Sequence, residues 1–186
     1  MYTISLFDPG QAVGAPPGFL YIPDLLSAEE ESNVLALAEG QAFVPYVIRD
    51  QPSKRRMAFV GGYSDGERRA LLPEVLLPLR ARVAAAAGLR PERYTKALLQ
   101  VYPVGAGIGF HRDYDQAGDA VIGFNLLGPC FLKLRSVRDR RRVFIQELRP
   151  RSAYVLGGET RHRWLHGIPP VKSERWSLTL RGRTGE

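Results

Sequence analysis

The second half of the chain is a series of short apolar segments separated by turn residues. Seven such segments follow one another, at 97–102, 108–111, 120–127, 130–135, 142–148, 152–156 and 177–181. Glycine and proline stand between several of them, as in 103–107 and 157–158. Many short strands with such turns are typical of a double-sheet jelly roll. We therefore predict an α+β fold that is mainly β, a double-stranded β-helix with supporting N-terminal helices.

Two helices are predicted ahead of these strands. Ser27-Ala28-Glu29-Glu30 is a capping-box pattern, and it predicts a helix that Gly40 ends. A second helix is predicted from about residue 72 to residue 87, with Gly88 as its C-terminal cap. Pro78 lies inside that segment and predicts a kink or a division into two helices. The layout is therefore helices first, followed by a β core.

The charges of the chain are unevenly distributed. Residues 1–50 hold seven acidic residues and one basic residue, whereas residues 51–186 hold 25 basic and 12 acidic residues. A basic body indicates a polyanionic partner, most commonly nucleic acid. An arginine-rich composition with solvated side chains explains the same counts equally well.

The composition also bears on the cellular location. Cys130 is the one cysteine, so no internal disulfide forms, and this favours a reducing cytoplasm. No apolar run approaches the roughly 20 residues that cross a bilayer, and the first residues do not resemble a secretory signal. We expect a cytoplasmic protein that does not contact a membrane.

Two histidines and an aspartate have the spacing of a metal site. His111 and Asp113 are two residues apart, so at a strand end both side chains point to one side. His166 lies 53 residues beyond Asp113. Two imidazoles and one carboxylate on one face of an ion are the ligands of non-haem Fe(II) oxygenases. The alternative is that His111 is a surface histidine and Asp113 a turn residue.

His162 competes with His166 for the third ligand position. It stands between Arg161 and Arg163, which would place two positive charges beside a dication. We therefore favour His166 as the ligand.

Two arginines follow the distal histidine at an even separation. Arg175 and Arg181 are six residues apart, so on a strand they share a face. A buried guanidinium needs an anionic partner, and a dicarboxylate such as 2-oxoglutarate is a bidentate one. The alternative is an edge strand with two solvated arginines.

These segments together resemble the AlkB family of Fe(II)/2-oxoglutarate-dependent dioxygenases. The resemblance covers roughly residues 97–183. The run 100–107 (QVYPVGAG) is similar to the family's Asn-x-Tyr-x-x-Gly segment. The run 157–168 resembles the family's segment that leads to its distal histidine. Its spacing and residues are closer to members that act on transfer RNA than to the founding DNA repair enzyme. The closing RWSLTLR at 175–181 resembles the family's co-substrate strand.

The resemblance implies a role for each matching position. The Fe(II) ligands would be His111, Asp113 and His166. Arg175 would hold the distal carboxylate of 2-oxoglutarate, and Arg181 would lie near its keto-acid end. Tyr102 would donate a hydrogen bond to this co-substrate. Gln100 stands where many members have asparagine, and its amide offers the same groups one methylene further out.

Asp115 is the predicted base contact. In family dealkylases an acid two residues past the metal aspartate contacts the exocyclic amine of the damaged base, which suits adenine or cytosine. A simple turn aspartate is the alternative.

A basic segment before the core is the predicted substrate lid. Residues 52–63 contain Arg55 and Arg56, which would neutralise phosphates, and Tyr63 or Phe59, which would stack on a flipped base. The alternative is a basic β-ribbon whose aromatic side chains pack inward. Arg161 would extend a second basic cluster, whose core is Lys133, Arg135, Arg138, Arg140, Arg141 and Arg142.

The predicted organisation is one domain over 1–186. Residues 1–50 form an extension with the first helix, 51–95 the lid and second helical region, and 96–186 the jelly-roll core. The resemblance implies a dioxygenase that uses Fe(II), 2-oxoglutarate and O2 to demethylate alkylated bases in DNA or RNA, with release of formaldehyde. Two alternatives remain: an oxygenase that acts on transfer RNA or a protein side chain, and a non-catalytic jelly roll that binds nucleic acid. We expect a monomer.

Overall fold

A computed structural model describes residues 14–48, 51–62, 71–114 and 117–182. The strands are β1 (Phe19–Ile22), β2 (Val44–Ile48), β3 (Gln51–Gly61), β4 (Lys96–Tyr102), β5 (Ile108–His111), β6 (Ala120–Leu126), β7 (Cys130–Ser136), β8 (Val143–Leu148), β9 (Ser152–Gly157), β10 (Trp164–Ile168) and β11 (Arg175–Arg181). The helices are α1 (Ala28–Ala36), α2 (Leu76–Ala86) and α3 (Gly158–Arg163), with a 3₁₀ turn at Pro91–Arg93.

The strands form two antiparallel sheets that face each other. The larger has seven strands in the order β1-β9-β6-β11-β4-β3-β2, and the smaller has the order β5-β10-β7-β8. Helices α1 and α2 cover the outer face of the large sheet, where Val34, Leu79 and Val83 join a core with Phe124 and Leu178. The predicted jelly roll with N-terminal supporting helices is confirmed.

The inner face of the large sheet packs against the small sheet. This second core includes Tyr102 and Tyr154 from the large sheet and Leu132, Leu134 and Ile168 from the small one. Because β6 and β9 are covered on both faces, every one of their residues is buried. The space between the two sheets is where strand ends can bring polar side chains together.

The two long helices begin and end for local reasons. The capping box is present: Ser27 Oγ accepts from the Glu30 amide at 3.1 Å, and the Ser27 amide donates to Glu30 Oε2 at 2.9 Å. The prediction of a kink at Pro78 was wrong. Helix α2 begins at Leu76 rather than near residue 72, so Pro78 lies in its first turn. The amides of a first turn have no intrahelical partner, and proline therefore costs nothing there.

Both helices precede the β core that begins at Lys96, and a β-hairpin lies between them in sequence, where a basic β-ribbon was the alternative to a lid. The basic segment forms β3, which pairs with β2 on one side and with β4 on the other. The hairpin thus extends the large sheet beside the strand that carries Gln100 and Tyr102. In the described part of the chain, no helix is long and apolar enough to cross a membrane.

Candidate metal and co-substrate site

His111 and His166 face each other across neighbouring strands of the small sheet. They are direct partners in the β5–β10 pairing, and their ring centres are 4.2 Å apart. Asp113 follows His111 by two residues, so its carboxylate turns to the same side. One ligand atom from each of the three side chains lies within 4.8 Å of the other two. His162 lies on α3 with an exposed side chain, outside this cluster.

The ring of His111 is held in one tautomer. Its Nδ1 lies 2.9 Å from the carbonyl oxygen of Gly109. Because a carbonyl only accepts, Nδ1 carries the proton and Nε2 keeps its lone pair. A metal-binding histidine is oriented in the same way, with its second ring nitrogen donating to a carbonyl or carboxylate.

Asp113 is ionised and held by an arginine. Burial raises the pKa of this carboxyl, but the Arg181 guanidinium and the neighbouring histidines outweigh burial and hold the pKa below its usual value. Arg181 Nη2 donates to Asp113 Oδ1 at 2.7 Å. Only 9% of the aspartate side chain is accessible to solvent. The site therefore offers a negative ligand near neutral pH.

The two histidines are neutral near neutral pH. Burial, and then the charge of His111, lower the pKa of His166 to about 3. Burial also lowers the pKa of His111. The 3.6 Å contact between His166 Nε2 and Asp113 Oδ2 is therefore not an ion pair. Two neutral imidazoles and one carboxylate form the ligand set that the sequence predicted.

Arg175 lies deep between the sheets, at the start of β11. The residue is 1% exposed, and its Nε donates to Asn125 Oδ1. Its guanidinium carbon is 4.6 Å from the centre of the Tyr102 ring, the partner of Arg175 in the β11–β4 pairing. Among the described residues it forms no ion pair, and its buried Nη1 has no hydrogen-bond partner. A buried cation without an anion is costly, so this group is suited to a carboxylate from outside the chain.

The metal and co-substrate groups fit this site. The donor set suits Fe(II) with open coordination positions, and the unpartnered Nη1 of Arg175 suits one end of 2-oxoglutarate. The Tyr102 hydroxyl donates to Gln100 Oε1 at 3.2 Å, so these two predicted co-substrate residues form one polar wall. Arg181 donates to Asp113, the proposed carboxylate ligand of the metal. This contact agrees with the predicted position of Arg181 near the keto-acid end of 2-oxoglutarate.

Asn125 is a site residue that the sequence analysis missed. Its Nδ2 donates to the carbonyls of Gly128, Leu148 and Arg149 at 3.0–3.1 Å, and its Oδ1 accepts from Arg175. The side chain is fully buried in β6. An amide within the otherwise apolar run AVIGFNL was a usable signal, because a buried amide must find hydrogen bonds.

Arg161 was predicted to contact the substrate, but its side chain is buried. It is 3% exposed and donates to the main-chain carbonyls of Asp113, Tyr114 and Gly118 at 2.6–3.2 Å. These carbonyls belong to the loop that carries the metal aspartate. The geometry favours a role in holding this loop over the predicted contact with substrate.

The remaining predicted substrate residues lie in different surroundings. Asp115 and Tyr63 fall outside the described residues. Arg55 is buried and Arg56 is exposed, although they are adjacent. Phe59 is 48% exposed, so at this position the hairpin does not pack its aromatic side chain inward.

Comparison with known proteins establishes the class of protein. A family model described as the 2OG-Fe(II) oxygenase superfamily matches residues 18–183. The chain belongs to this superfamily and is a dioxygenase that uses Fe(II), 2-oxoglutarate and O2.

Within the superfamily the chain is similar to a protein named for the repair of alkylated DNA. It is 25% identical to a curated relative from Arabidopsis thaliana, the "Alkylated DNA repair protein ALKBH8 homolog", over 191 aligned residues. The match covers 86% of this chain and 53% of the relative, so the chain spans about half the relative's length.

Solved structures with the same fold come from two groups. The structure of OsALKBH1 superposes with a TM-score of 0.73 at 19% identity, covering 90% of this chain and 99% of that one. A Pseudomonas putida prolyl-4-hydroxylase gives a TM-score of 0.62 at 18% identity, covering 89% and 92%. A Trichoplax adhaerens prolyl hydroxylase, bound to a peptide fragment of hypoxia inducible factor, gives 0.61 at 19%, covering 89% and 83%. At these identities the structures show the fold alone.

Proposed function

We propose that the protein oxidatively demethylates alkylated bases in DNA or RNA. The observation that carries the proposal is the charge on the small sheet, which also holds the metal ligands. Strand β7 pairs with β10 so that Leu134 lies opposite His166. The β7–β8 turn carries four exposed arginines against one exposed acid, Asp139: Arg138, Arg140, Arg141 and Arg142. Exposed guanidinium groups are suited to phosphates.

The relatives point in the same direction. The Arabidopsis relative is named for repair of alkylated DNA. The basic excess in 51–186 also suits a polyanionic substrate better than a neutral peptide.

The proposed reaction has a simple balance. Bound iron, 2-oxoglutarate and O2 would supply the oxidation, with one oxygen atom entering succinate as CO2 leaves and the other entering the N-methyl carbon of the base. The hydroxymethyl amine then breaks its C–N bond. The electron pair of that bond returns to the base nitrogen, the hydroxyl proton is released, and formaldehyde leaves.

The chain's own residues bind and orient the reactants. His111, Asp113 and His166 would hold the ion on one side. Arg175 would anchor the distal carboxylate of 2-oxoglutarate, and Arg181 keeps Asp113 ionised. Burial of the pocket excludes bulk water and strengthens each of these interactions.

The test is formaldehyde release from three substrate classes. The purified protein with Fe(II), 2-oxoglutarate and ascorbate is offered a 1-methyladenine DNA oligonucleotide, the same sequence as methylated RNA, and a proline-containing peptide. We expect formaldehyde from a nucleic-acid substrate and none from the peptide. His111→Ala is the control for contaminating activity.

The alternative outcomes are distinct. Hydroxylation of the peptide alone would refute the proposal and place the protein with the protein hydroxylases. Binding of the oligonucleotides without any 2-oxoglutarate turnover would support a non-catalytic binding module instead.

We also propose that the chain acts as a monomer in the cytoplasm. Cys130 is buried, and burial raises the pKa of its thiol, so it is a poor candidate for a crosslink between copies. Light scattering of the purified protein tests the monomer.

A further inference from the structure

Arg55 is a cation from the β2–β3 hairpin that lies buried against the co-substrate pocket. It is 2% exposed, and its Nη1 donates to the Tyr102 hydroxyl at 3.1 Å. Its guanidinium carbon lies 4.0 Å above the centre of the Tyr46 ring and 5.6 Å from that of Tyr102. Arg55 thus connects both strands of the hairpin to a residue of the pocket wall.

An irregularity in the hairpin directs this side chain inward. Between the pairs Pro45–Arg56 and Val47–Pro52, one residue of β2 is matched by three residues of β3, 53–55. The Ser53 hydroxyl accepts from the Arg55 amide at 3.1 Å inside this bulge. Bulges reorient side chains and are frequent beside active sites.

Arg56 provides an internal comparison. It pairs with Val101 of β4, one position away from Arg55, and its side chain is exposed. Neighbouring strand residues point to opposite faces, so one arginine faces the pocket and the other faces solvent. The two arginines predicted to contact phosphates therefore have different surroundings, and only Arg56 keeps the geometry for a phosphate.

The Tyr102 hydroxyl connects Arg55 to the co-substrate. Its oxygen accepts from Arg55, while its single proton is donated to Gln100. The guanidinium carbon of Arg175 lies 4.6 Å from the centre of the same ring. Because Arg55 satisfies an acceptor position of the oxygen, the proton can turn from Gln100 to a carboxylate without leaving the oxygen unpartnered.

We propose that Arg55 is a positioning residue that couples the β2–β3 hairpin to 2-oxoglutarate. Arg55 fixes Tyr102 for the co-substrate, and a bound co-substrate in turn holds Arg55 and the hairpin in place. This coupling is reciprocal, because a ligand that is bound more tightly when the hairpin is docked must also favour docking. The inference rests on the proposed roles of Arg175 and Tyr102, but not on the identity of the substrate.

The first measurement is 2-oxoglutarate affinity without turnover. Isothermal titration calorimetry with Mn(II) in place of Fe(II) compares the wild type with Arg55→Met, Arg55→Lys and Arg56→Met. We expect the Kd to rise about 10-fold or more for Arg55→Met, because charge-assisted contacts of this kind carry such factors. Arg55→Lys keeps the charge but lacks the planar guanidinium, so its Kd should lie between those of the wild type and Arg55→Met. Arg56→Met should change the Kd by less than about 2-fold.

The second measurement is hydrogen exchange of the β3 amides. In the wild type and in Arg56→Met, the β3 amides should exchange measurably more slowly with Mn(II) and 2-oxoglutarate than with Mn(II) alone. In Arg55→Met this added protection should be lost. A purely structural role for Arg55 would change exchange equally with and without the co-substrate, and that result would overturn the proposal.

Two further variants separate the possible failures. If Arg175→Met weakens 2-oxoglutarate binding and Arg55→Met does not, the role of Arg55 is refuted, whereas the proposed role of Arg175 in binding 2-oxoglutarate is supported. If neither variant weakens binding, the pocket assignment and the inference both fail. Should Arg55→Met not fold, Arg55→Lys and Tyr102→Phe serve in its place, and wild-type affinity and protection in both would refute the coupling.

Discussion

The two sheets differ in how much of each is enclosed, and each is proposed to hold a different part of the site. In the large sheet β6 and β9 are buried on both faces. In the small sheet β7 and β8 alternate, so Leu132 and Leu134 face inward while Phe131 and Ile145 are each 51% exposed. The large sheet carries Arg175 and Tyr102, and the small sheet carries the two histidines that are proposed as metal ligands.

This difference has a physical reason. A guanidinium that binds a carboxylate gains most where water is excluded, which favours the enclosed sheet. A metal site must keep open coordination positions that a bulky substrate can reach, which favours the half-exposed sheet. Loss of a small-sheet ligand should therefore abolish turnover, whereas losses in the large sheet should affect stability and co-substrate affinity.

The largest effect is expected for His111→Ala. Loss of groups that only orient a metal ligand costs 10–100-fold, so loss of a ligand should leave below about 1% of 2-oxoglutarate turnover. His162→Ala is the matched control and should keep wild-type turnover, because His162 lies outside the ligand cluster. Decarboxylation of labelled 2-oxoglutarate measures both. An equal loss of turnover in the two variants would contradict the assignment of His111 as a metal ligand.

Asn125→Ala tests the enclosed sheet through stability. The substitution removes the Asn125 amide from three main-chain carbonyls and from the Arg175 Nε, and of these carbonyls that of Arg149 still accepts from Ser152 Oγ. At about 1 kcal/mol for each hydrogen bond, we expect the free energy of unfolding to fall by about 3 kcal/mol or more. Urea denaturation measures the change, with Glu147→Ala, at an exposed position of β8, as the control. A loss below about 1 kcal/mol would show that this network is not a structural element.

Arg175→Met separates co-substrate affinity from metal binding. The Kd for 2-oxoglutarate should rise about 10- to 100-fold, because a charge-assisted pair contributes about 1.5–3 kcal/mol. Affinity for Mn(II) in the absence of 2-oxoglutarate should stay within about 2-fold, since the ligands lie on the other sheet. Calorimetry measures both constants. An equal loss of Mn(II) affinity would contradict the assignment of metal binding and co-substrate binding to different sheets.

The smallest effect is expected on the outer face of the small sheet. Ile145→Thr keeps the β-branched shape at an exposed position, so the free energy of unfolding should change by less than about 0.5 kcal/mol. Leu132→Ala on the inner face of the same sheet should cost about 2–5 kcal/mol. A large loss for Ile145→Thr would show that this face is covered in solution.

The sequence predicted most of the β core because its signals are local. The segments predicted at 97–102, 108–111 and 130–135 correspond to β4, β5 and β7 within one residue at each end. The ligand pattern was equally accessible, because His111 and Asp113 are two residues apart and the chain has few histidines.

The missed features depend on contacts between distant parts of the chain. Arg55 and Arg56 look identical in sequence, and only the hairpin bulge and its pairing with β4 direct one inward and the other outward. Arg161 looked like a surface cation, but its carbonyl partners lie more than 40 residues away. Local propensity carries no information about such partners.

The hydrogen bond between Arg181 and Asp113 has a consequence for ion selectivity. Because the guanidinium occupies Oδ1, the aspartate has one oxygen, Oδ2, to give to an ion on the histidine side. Calcium prefers six to eight oxygen ligands and often a bidentate carboxylate, so this site disfavours it. Divalent transition metals accept two imidazole nitrogens and a single carboxylate oxygen. An arginine proposed to lie beside the co-substrate thus also makes the site unfavourable for calcium.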